Sequence, residues 1–168
     1  MAITAAMLAS LALTGCTASE GSTVTPDEVE RDARDIFART SAVVPAEKWT
    51  TERTWGPCEN PRDGYVQSMF VAQSLVDVPE ATPALAQMVV DVWRSAGLKP
   101  VVQSDDGTGG LIISDPAYLQ GANADGSVTQ LSLYKTAVLL QVISPCIEGD
   151  LADLGGTAST APTPPSSP

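Results

Sequence analysis

The stretch TPALAQMVVDVWRSAG, residues 82–97, predicts an amphipathic helix that lies on a sheet. Thr82 is a favoured N-cap residue, Pro83 suits the first helical position, and Gly97 provides a C-terminal stop. Apolar side chains recur at the i, i+3, i+4, i+7, i+8 and i+11 spacing of one helical face. They are Leu85, Met88, Val89, Val92, Trp93 and Ala96. A helix with one apolar face needs a partner surface, so the flanking segments are expected to supply a sheet.

Another helix is predicted earlier in the chain, over about residues 26–41. Thr25-Pro26-Asp27-Glu28 has the pattern of a capping box, with proline at the first helical position. One stripe of this helix is expected to be buried, and it consists of Val29, Ala33, Ile36, Phe37 and Thr40.

Six strands complete the predicted fold. Threonine, valine and aromatic residues indicate strands over 47–58 and 65–77, joined by a turn that contains proline and glycine. Shorter runs predict four more strands over 99–103, 111–114, 127–135 and 137–145. The order α-β-β-α-β-β-β-β predicts an α+β fold, in which an antiparallel sheet carries two helices on one face.

The composition restricts the classes of partner. The chain has 168 residues, a formal net charge of −11 and no histidine. This acidity argues against nucleic acid, whose phosphates require lysine and arginine, and against electrostatic attachment to anionic lipid. The charge is expected to maintain solubility, with attraction of a basic partner as the alternative.

The N-terminal region resembles a bacterial lipoprotein signal. Residues 2–13 are uncharged and mostly apolar, and Leu13-Thr14-Gly15-Cys16 resembles the lipobox. In that motif the cysteine thiol is alkylated by diacylglycerol, and cleavage leaves the lipidated cysteine as the first residue. The resemblance implies a lipid anchor on the extracytoplasmic face of the cell membrane. A buried helix at the N-terminus of the domain is the alternative. A transmembrane helix is not expected, because the apolar run is shorter than the ~20 residues that a membrane span needs.

These features divide the chain into four parts. We expect a signal peptide over 1–15, a lipidated tether over 16–25, a single domain over 26–153 and a tail over 154–168. The tail consists mainly of glycine, threonine, serine, alanine and proline, a composition that predicts disorder.

The cysteine count agrees with the lipid anchor. With Cys16 assigned to lipid, Cys58 and Cys146 form an even pair, which in an exported protein predicts a disulfide. The chain-entropy model assigns roughly 4–5 kcal/mol to a crosslink that closes so long a loop. A metal site is the alternative, but two cysteines without histidine do not make an ordinary zinc site. The disulfide is expected to tie the first hairpin to the closing edge of the sheet.

No catalytic motif is recognisable, so we expect neither enzyme activity nor a cofactor or metal. Without histidine the chain lacks the usual general base, and it has no phosphate-binding loop. Asp105-Asp106-Gly107 resembles the start of a calcium loop but lacks the later glutamate, so a hairpin turn is favoured. Glu52 and Glu59 are candidates for a glycosidase pair, with exposed strand charges as the simpler interpretation.

Aromatic residues are the remaining candidates for a binding surface. Trp49 and Trp55 have the same parity on one predicted strand and therefore share a face, with Tyr65 nearby on the next strand. A partly exposed patch that contacts a partner or a cell-wall component is one interpretation, and packing under a helix is the other. Trp93 belongs to the apolar stripe of its helix and is predicted to be core.

The arrangement of these landmarks resembles the small LppA-type lipoproteins of actinobacteria. The shared features are the lipobox, the N-terminal helix, a tryptophan ahead of a cysteine (Trp49, Cys58), the amphipathic helix, the β-rich stretch ending in Cys146 and the proline-rich tail. The resemblance implies an envelope location and the disulfide. It implies no enzymatic role.

Three functions follow as hypotheses. The first is a lipid-anchored accessory protein without catalytic activity, which binds an envelope protein or a ligand through one face of the sheet. The second is a carboxylate-based hydrolase of the cell wall. The third is a carrier of a hydrophobic ligand, which requires a sizeable apolar cavity between the sheet and the helices.

Overall fold

In the described part of the chain, the fold consists of two helices and a seven-stranded antiparallel sheet. The computed structural model describes residues 24–58 and 64–155. The elements are α1 (Pro26–Val43), β1 (Thr50–Pro57), β2 (Tyr65–Ser74), α2 (Pro83–Ser95), β3 (Val101–Asp105), β4 (Gly110–Asp115), a 3₁₀ turn (Tyr118–Gln120), β5 (Val128–Leu133), β6 (Val138–Ile143) and β7 (Ile147–Glu148). The fold is therefore of the α+β class, as predicted.

The strand order across the sheet is β1-β2-β6-β5-β4-β3, and β7 pairs with β2. The connection through α2 carries the chain from β2 to the far edge at β3, and four successive antiparallel pairings, from β3 through β4, β5 and β6, then return it to β2. The last long strand, β6, is thus interior. From the sequence, the disulfide is expected to reach the closing edge of the sheet. This expectation is wrong, because β6, the long strand that precedes Cys146, lies between β2 and β5 inside the sheet.

Helix α1 begins with the predicted capping box. The Glu28 N–H donates to Thr25 Oγ1 at 3.3 Å, and the Thr25 N–H donates to Glu28 Oε2 at 2.9 Å. These two bonds satisfy two of the backbone donors that a helix start leaves free. The pKa of the Glu28 carboxyl is lowered first by the Thr25 backbone N–H and then by the Thr25 hydroxyl, which donates to Glu28 Oε2 at 3.0 Å.

Helix α2 has the predicted ends. The Leu85 N–H donates to Thr82 Oγ1 at 3.1 Å, and Gly97 follows the helix with a φ of 90°. The predicted apolar stripe is partly wrong, because Met88 is 47% exposed while Ala86 and Val90 are buried. The helix shares a core with α1 as well as with the sheet, so its buried face turns toward these smaller residues. Neither described helix is long and apolar enough to span a membrane.

A buried hydrogen bond joins the two helices. Trp93 is 0% exposed, as its place on the stripe predicts, and its indole Nε1–H donates to Thr40 Oγ1 at 2.9 Å. The Thr40 hydroxyl in turn donates to the carbonyl of Ile36 at 2.7 Å. Both polar groups therefore have partners, which removes the penalty for burying them.

The buried apolar residues form two separate cores. The main core contains residues of both helices together with Ile113, Leu131, Leu140 and Ala72, which face one another in register across β4, β5, β6 and β2. The minor core is smaller, and it consists of Val29, Trp55, Val66 and Ile147. Val24, Leu151 and Leu154 pack against the minor core, so both ends of the described chain close over it.

Strand limits differ from the predicted ones where the backbone turns. Lys48 and Asp77 have φ values of 52° and 49°, which shortens β1 at its start and β2 at its end. Pro145 has no backbone N–H to donate, and β6 stops at Ile143. Two residues after Pro145, β7 begins along the same side of β2, as a seventh strand that the sequence did not predict.

Candidate functional site

A groove lies between α1 and the sheet in the described part of the chain. Its volume is about 480 Å³. Most of its wall is apolar, and the apolar contributors are Val24, Val29, Ala33, Ile36, Ala96, Leu98, Val142, Ile143 and Pro145. The groove therefore lies between the minor core, which includes Val29, and the main core, which includes Ala33 and Ile36.

Two serines on the floor of the groove differ in their hydrogen bonding. The Ser144 hydroxyl accepts the backbone N–H of Ser68 at 2.9 Å and donates to the carbonyl of Pro145 at 2.8 Å. Ser68 is 2% exposed, and its own hydroxyl has no hydrogen-bond partner among the described residues. A buried hydroxyl without a partner is uncommon in native proteins.

Charged residues of α1 line the rim of the groove in pairs. The Arg39 guanidinium Nε lies 2.6 Å from Asp35 Oδ2, and Arg31 lies 3.1 Å from Asp32. Asp32, Asp35 and Arg39 belong to the groove wall. Each arginine side chain therefore already has a carboxylate partner, and the rim presents no unpaired cation among these residues.

The predicted disulfide is present, and Cys146 directly follows Pro145 of the groove wall. Cys58 and Cys146 are bonded across 88 residues of sequence, with a Cα–Cα distance of 5.9 Å. Gly126 packs against this bond, and a Cβ added there would lie 3.2 Å from Cys146 Sγ at a φ of 88°. Cys16, the predicted lipidation site, lies outside the described residues.

The three aromatic residues of the predicted binding surface occupy different environments. Trp55 is 6% exposed and belongs to the minor core. Trp49 is partly buried beside Phe37 of α1, with ring centroids 5.6 Å apart in an edge-to-face arrangement. Tyr65 is 36% exposed, and the strand register places it on the sheet face opposite Trp55. The structure thus packs both tryptophans under α1 and leaves Tyr65 apart from them.

The acidic residues considered for catalysis do not form a site in the described part of the chain. Asp105 accepts the Thr108 hydroxyl at 2.7 Å and the Gly107 N–H at 3.0 Å, which is the hairpin-turn arrangement. These bonds, that of the Thr108 hydroxyl first, lower the pKa of Asp105. Glu52 is exposed on β1, at the edge of the sheet, and Glu59 lies outside the described residues. Across 24–58 and 64–155, no group of three or more potential ligands is placed to hold a metal ion.

Sequence reasoning did not find the groove. Its apolar lining residues, such as Ala33 and Val142, cannot be told from ordinary core residues in the sequence. Its serines belong to no recognisable motif. The small side chains of Ala33, Ala96 and Ser68 are the one available signal, because they leave volume where larger residues would fill the gap between the helix and the sheet.

Comparison with protein-family models, curated proteins and solved structures finds no match to this chain. The function is therefore argued from the groove and from the sequence features already described.

Proposed function

We propose that this protein is a lipid-anchored, non-catalytic binding protein of the bacterial envelope, which holds a small amphipathic ligand in the groove between α1 and the sheet. The groove is the observation that carries the proposal. Its volume of about 480 Å³ falls within the range of roughly 300–1,000 Å³ that small-molecule sites occupy. Its lining, apolar with a few polar groups, is also typical of such sites.

The lipobox resemblance and the likeness to LppA-type lipoproteins support the location in this proposal. Cys16 carries the lipid, and the acidic domain stands on the extracytoplasmic face of the cell membrane. The disulfide between Cys58 and Cys146 suits an exported protein, because disulfides persist in oxidising compartments. An envelope protein or a cell-wall component that delivers or receives the ligand is the partner expected here.

Binding of an apolar fluorescent probe tests the groove. The hydrocarbon diphenylhexatriene has no hydrogen-bonding group and fluoresces when it enters an apolar site. We expect the Cys16→Ala protein to bind it with a stoichiometry near one. Ala33→Phe on α1 or Ala96→Phe after α2 should fill part of the groove and weaken binding at least about tenfold, since the lost space excludes the probe.

Ala38→Phe is the matched control for this experiment. Ala38 is exposed on the same helix and does not line the groove, so the same substitution there should leave probe binding unchanged. If neither groove variant reduces binding while both remain folded by circular dichroism, the groove is not the site. The anchor is tested separately, since Cys16→Ala should release the protein from membranes and abolish its labelling with palmitate.

A further inference from the structure

The unpartnered hydroxyl of Ser68 points to the chemistry of the ligand. Ser68 lies on the helix face of β2, between Val66 and Phe70, and it lines the groove. Its backbone is fully engaged, because the N–H donates to Ser144 Oγ and the carbonyl accepts the Ser144 N–H, both at 2.9 Å. Of the polar groups of Ser68, only the hydroxyl lacks a partner among the described residues, and the residue is 2% exposed. The other buried polar atoms in this state, Trp49 Nε1, Gln103 Oε1 and Ser114 Oγ, belong to residues that do not line the groove.

Another serine of the same strand shows what a purely structural role requires. Ser74 is 1% exposed, and its hydroxyl donates to the carbonyl of Val76 at 2.9 Å and also contacts the carbonyl of Glu47. That hydroxyl holds the chain together at the end of β2. The Ser68 hydroxyl makes no such bond within the described chain, so an alanine would suit its protein surroundings equally well.

The rim of the groove selects against an anionic head group. Asp35 already occupies the Arg39 guanidinium, and Asp32 contacts Arg31. An anion in the groove would therefore lie beside the two carboxylates of Asp32 and Asp35 and the single guanidinium of Arg39, in a chain whose formal net charge is −11. A neutral polar group meets no such repulsion, and it can both donate to and accept from a serine hydroxyl.

We propose that the groove takes an uncharged amphipathic molecule, whose hydroxyl or carbonyl group hydrogen-bonds to Ser68 Oγ while its apolar body lies along Val29, Ile36 and Val142. This inference rests on the proposed function, since it names the ligand class of the same groove. Ser68 then acts as the residue that selects the head group, and the apolar wall supplies most of the affinity.

Three ligands with one alkyl chain and different heads test this inference. Decanol, decanoate and decyltrimethylammonium, at neutral pH and below self-association, compete with diphenylhexatriene on the Cys16→Ala protein. Decanol should displace the probe at the lowest concentration of the three. Ser68→Ala should raise the decanol concentration for half displacement about three- to tenfold, which corresponds to one neutral hydrogen bond. The probe itself and decanoate should be affected less than about twofold.

A stability measurement separates ligand selection from a structural role. Ser68→Ala should leave the melting temperature unchanged or higher, since an unpartnered polar group is removed. Ser74→Ala, the matched control, should lower the melting temperature without changing the order of the three ligands. The inference would be overturned if the three ligands displaced the probe at equal concentrations both before and after Ser68→Ala. It would also be overturned if decanoate or decyltrimethylammonium displaced the probe at a lower concentration than decanol. Neither result would contradict the groove as the binding site. Failure of the probe to bind at all would overturn the proposed function.

Discussion

The main core and the minor core are stabilised in different ways. The main core joins both helices to four strands, and its centre includes the fully buried Trp93 with its hydrogen bond to Thr40. The minor core has four buried residues, of which Trp55 is the only large one. The disulfide lies at this second end of the molecule, where Cys58 follows β1 and Cys146 precedes β7.

The comparison teaches where a crosslink and a binding site can be placed in one small domain. Hydrophobic burial dominates the stability of the region around Trp93, because many apolar side chains meet there. Near the minor core fewer apolar groups are available, and the covalent bond restricts the unfolded chain instead. The groove lies between the two regions, so space for a ligand can remain open without dividing either core.

Removing the crosslink should have the largest effect. The Cys58→Ala/Cys146→Ala double variant is expected to lose about 3 kcal/mol of unfolding free energy, which is a typical value for a native disulfide. Urea unfolding measures the loss, and reduced wild-type protein is the control. Hydrogen exchange should accelerate more in β7 and at the start of β2 than in β5. Equal acceleration in β5 would show that the crosslink supports both cores alike.

A matched pair of tryptophan substitutions should separate the two cores. Trp93→Phe is expected to lower the unfolding free energy by about 2 kcal/mol, because it leaves a void and removes the hydrogen bond to Thr40. Trp55→Phe should cost about 1 kcal/mol, since fewer buried neighbours surround it. Denaturant titration of both variants makes the comparison. If Trp55→Phe lost more unfolding free energy than Trp93→Phe, the minor core rather than the main core would contribute more to stability.

The capping box of α1 should give the smallest effect and a dependence on pH. Thr25→Ala is expected to cost about 1 kcal/mol at neutral pH. The folded state lowers the pKa of Glu28, so its contribution is complete above the ordinary carboxyl pKa of about 4.3 and is lost as the pH falls through the lower folded-state pKa. The difference between wild type and Thr25→Ala should therefore shrink in acid.

Thr82→Ala is the control for that prediction. Thr82 caps α2 in the same way, but the third helical residue there is Leu85, which has no charge to titrate. Its loss of stability, measured by urea unfolding at the same pH values, should stay nearly constant. If both variants respond to acid equally, the effect does not arise from Glu28.

Much of the local structure could be predicted from particular residues. The caps at Thr25 and Thr82, the burial of Trp93 and the pairing of Cys58 with Cys146 all depend on short-range periodicity or on the cysteine count. The exposure of Met88 could not be predicted, because it depends on how α2 is turned between α1 and the sheet. The groove was missed for the same reason, since it is a space between elements rather than a pattern within one.

The amino-acid sequence by itself determined the two helices, the α+β class and the cysteine pair that forms the disulfide, because helical spacing, capping residues and composition act over a few neighbouring residues. Only the tertiary structure decided that β6 is interior, that the apolar residues divide into two cores and that Ser68 is buried in a groove without a partner among the described residues. These outcomes depend on contacts between residues far apart in the chain. Such contacts form only when all strand pairings and helix positions are compatible with one another.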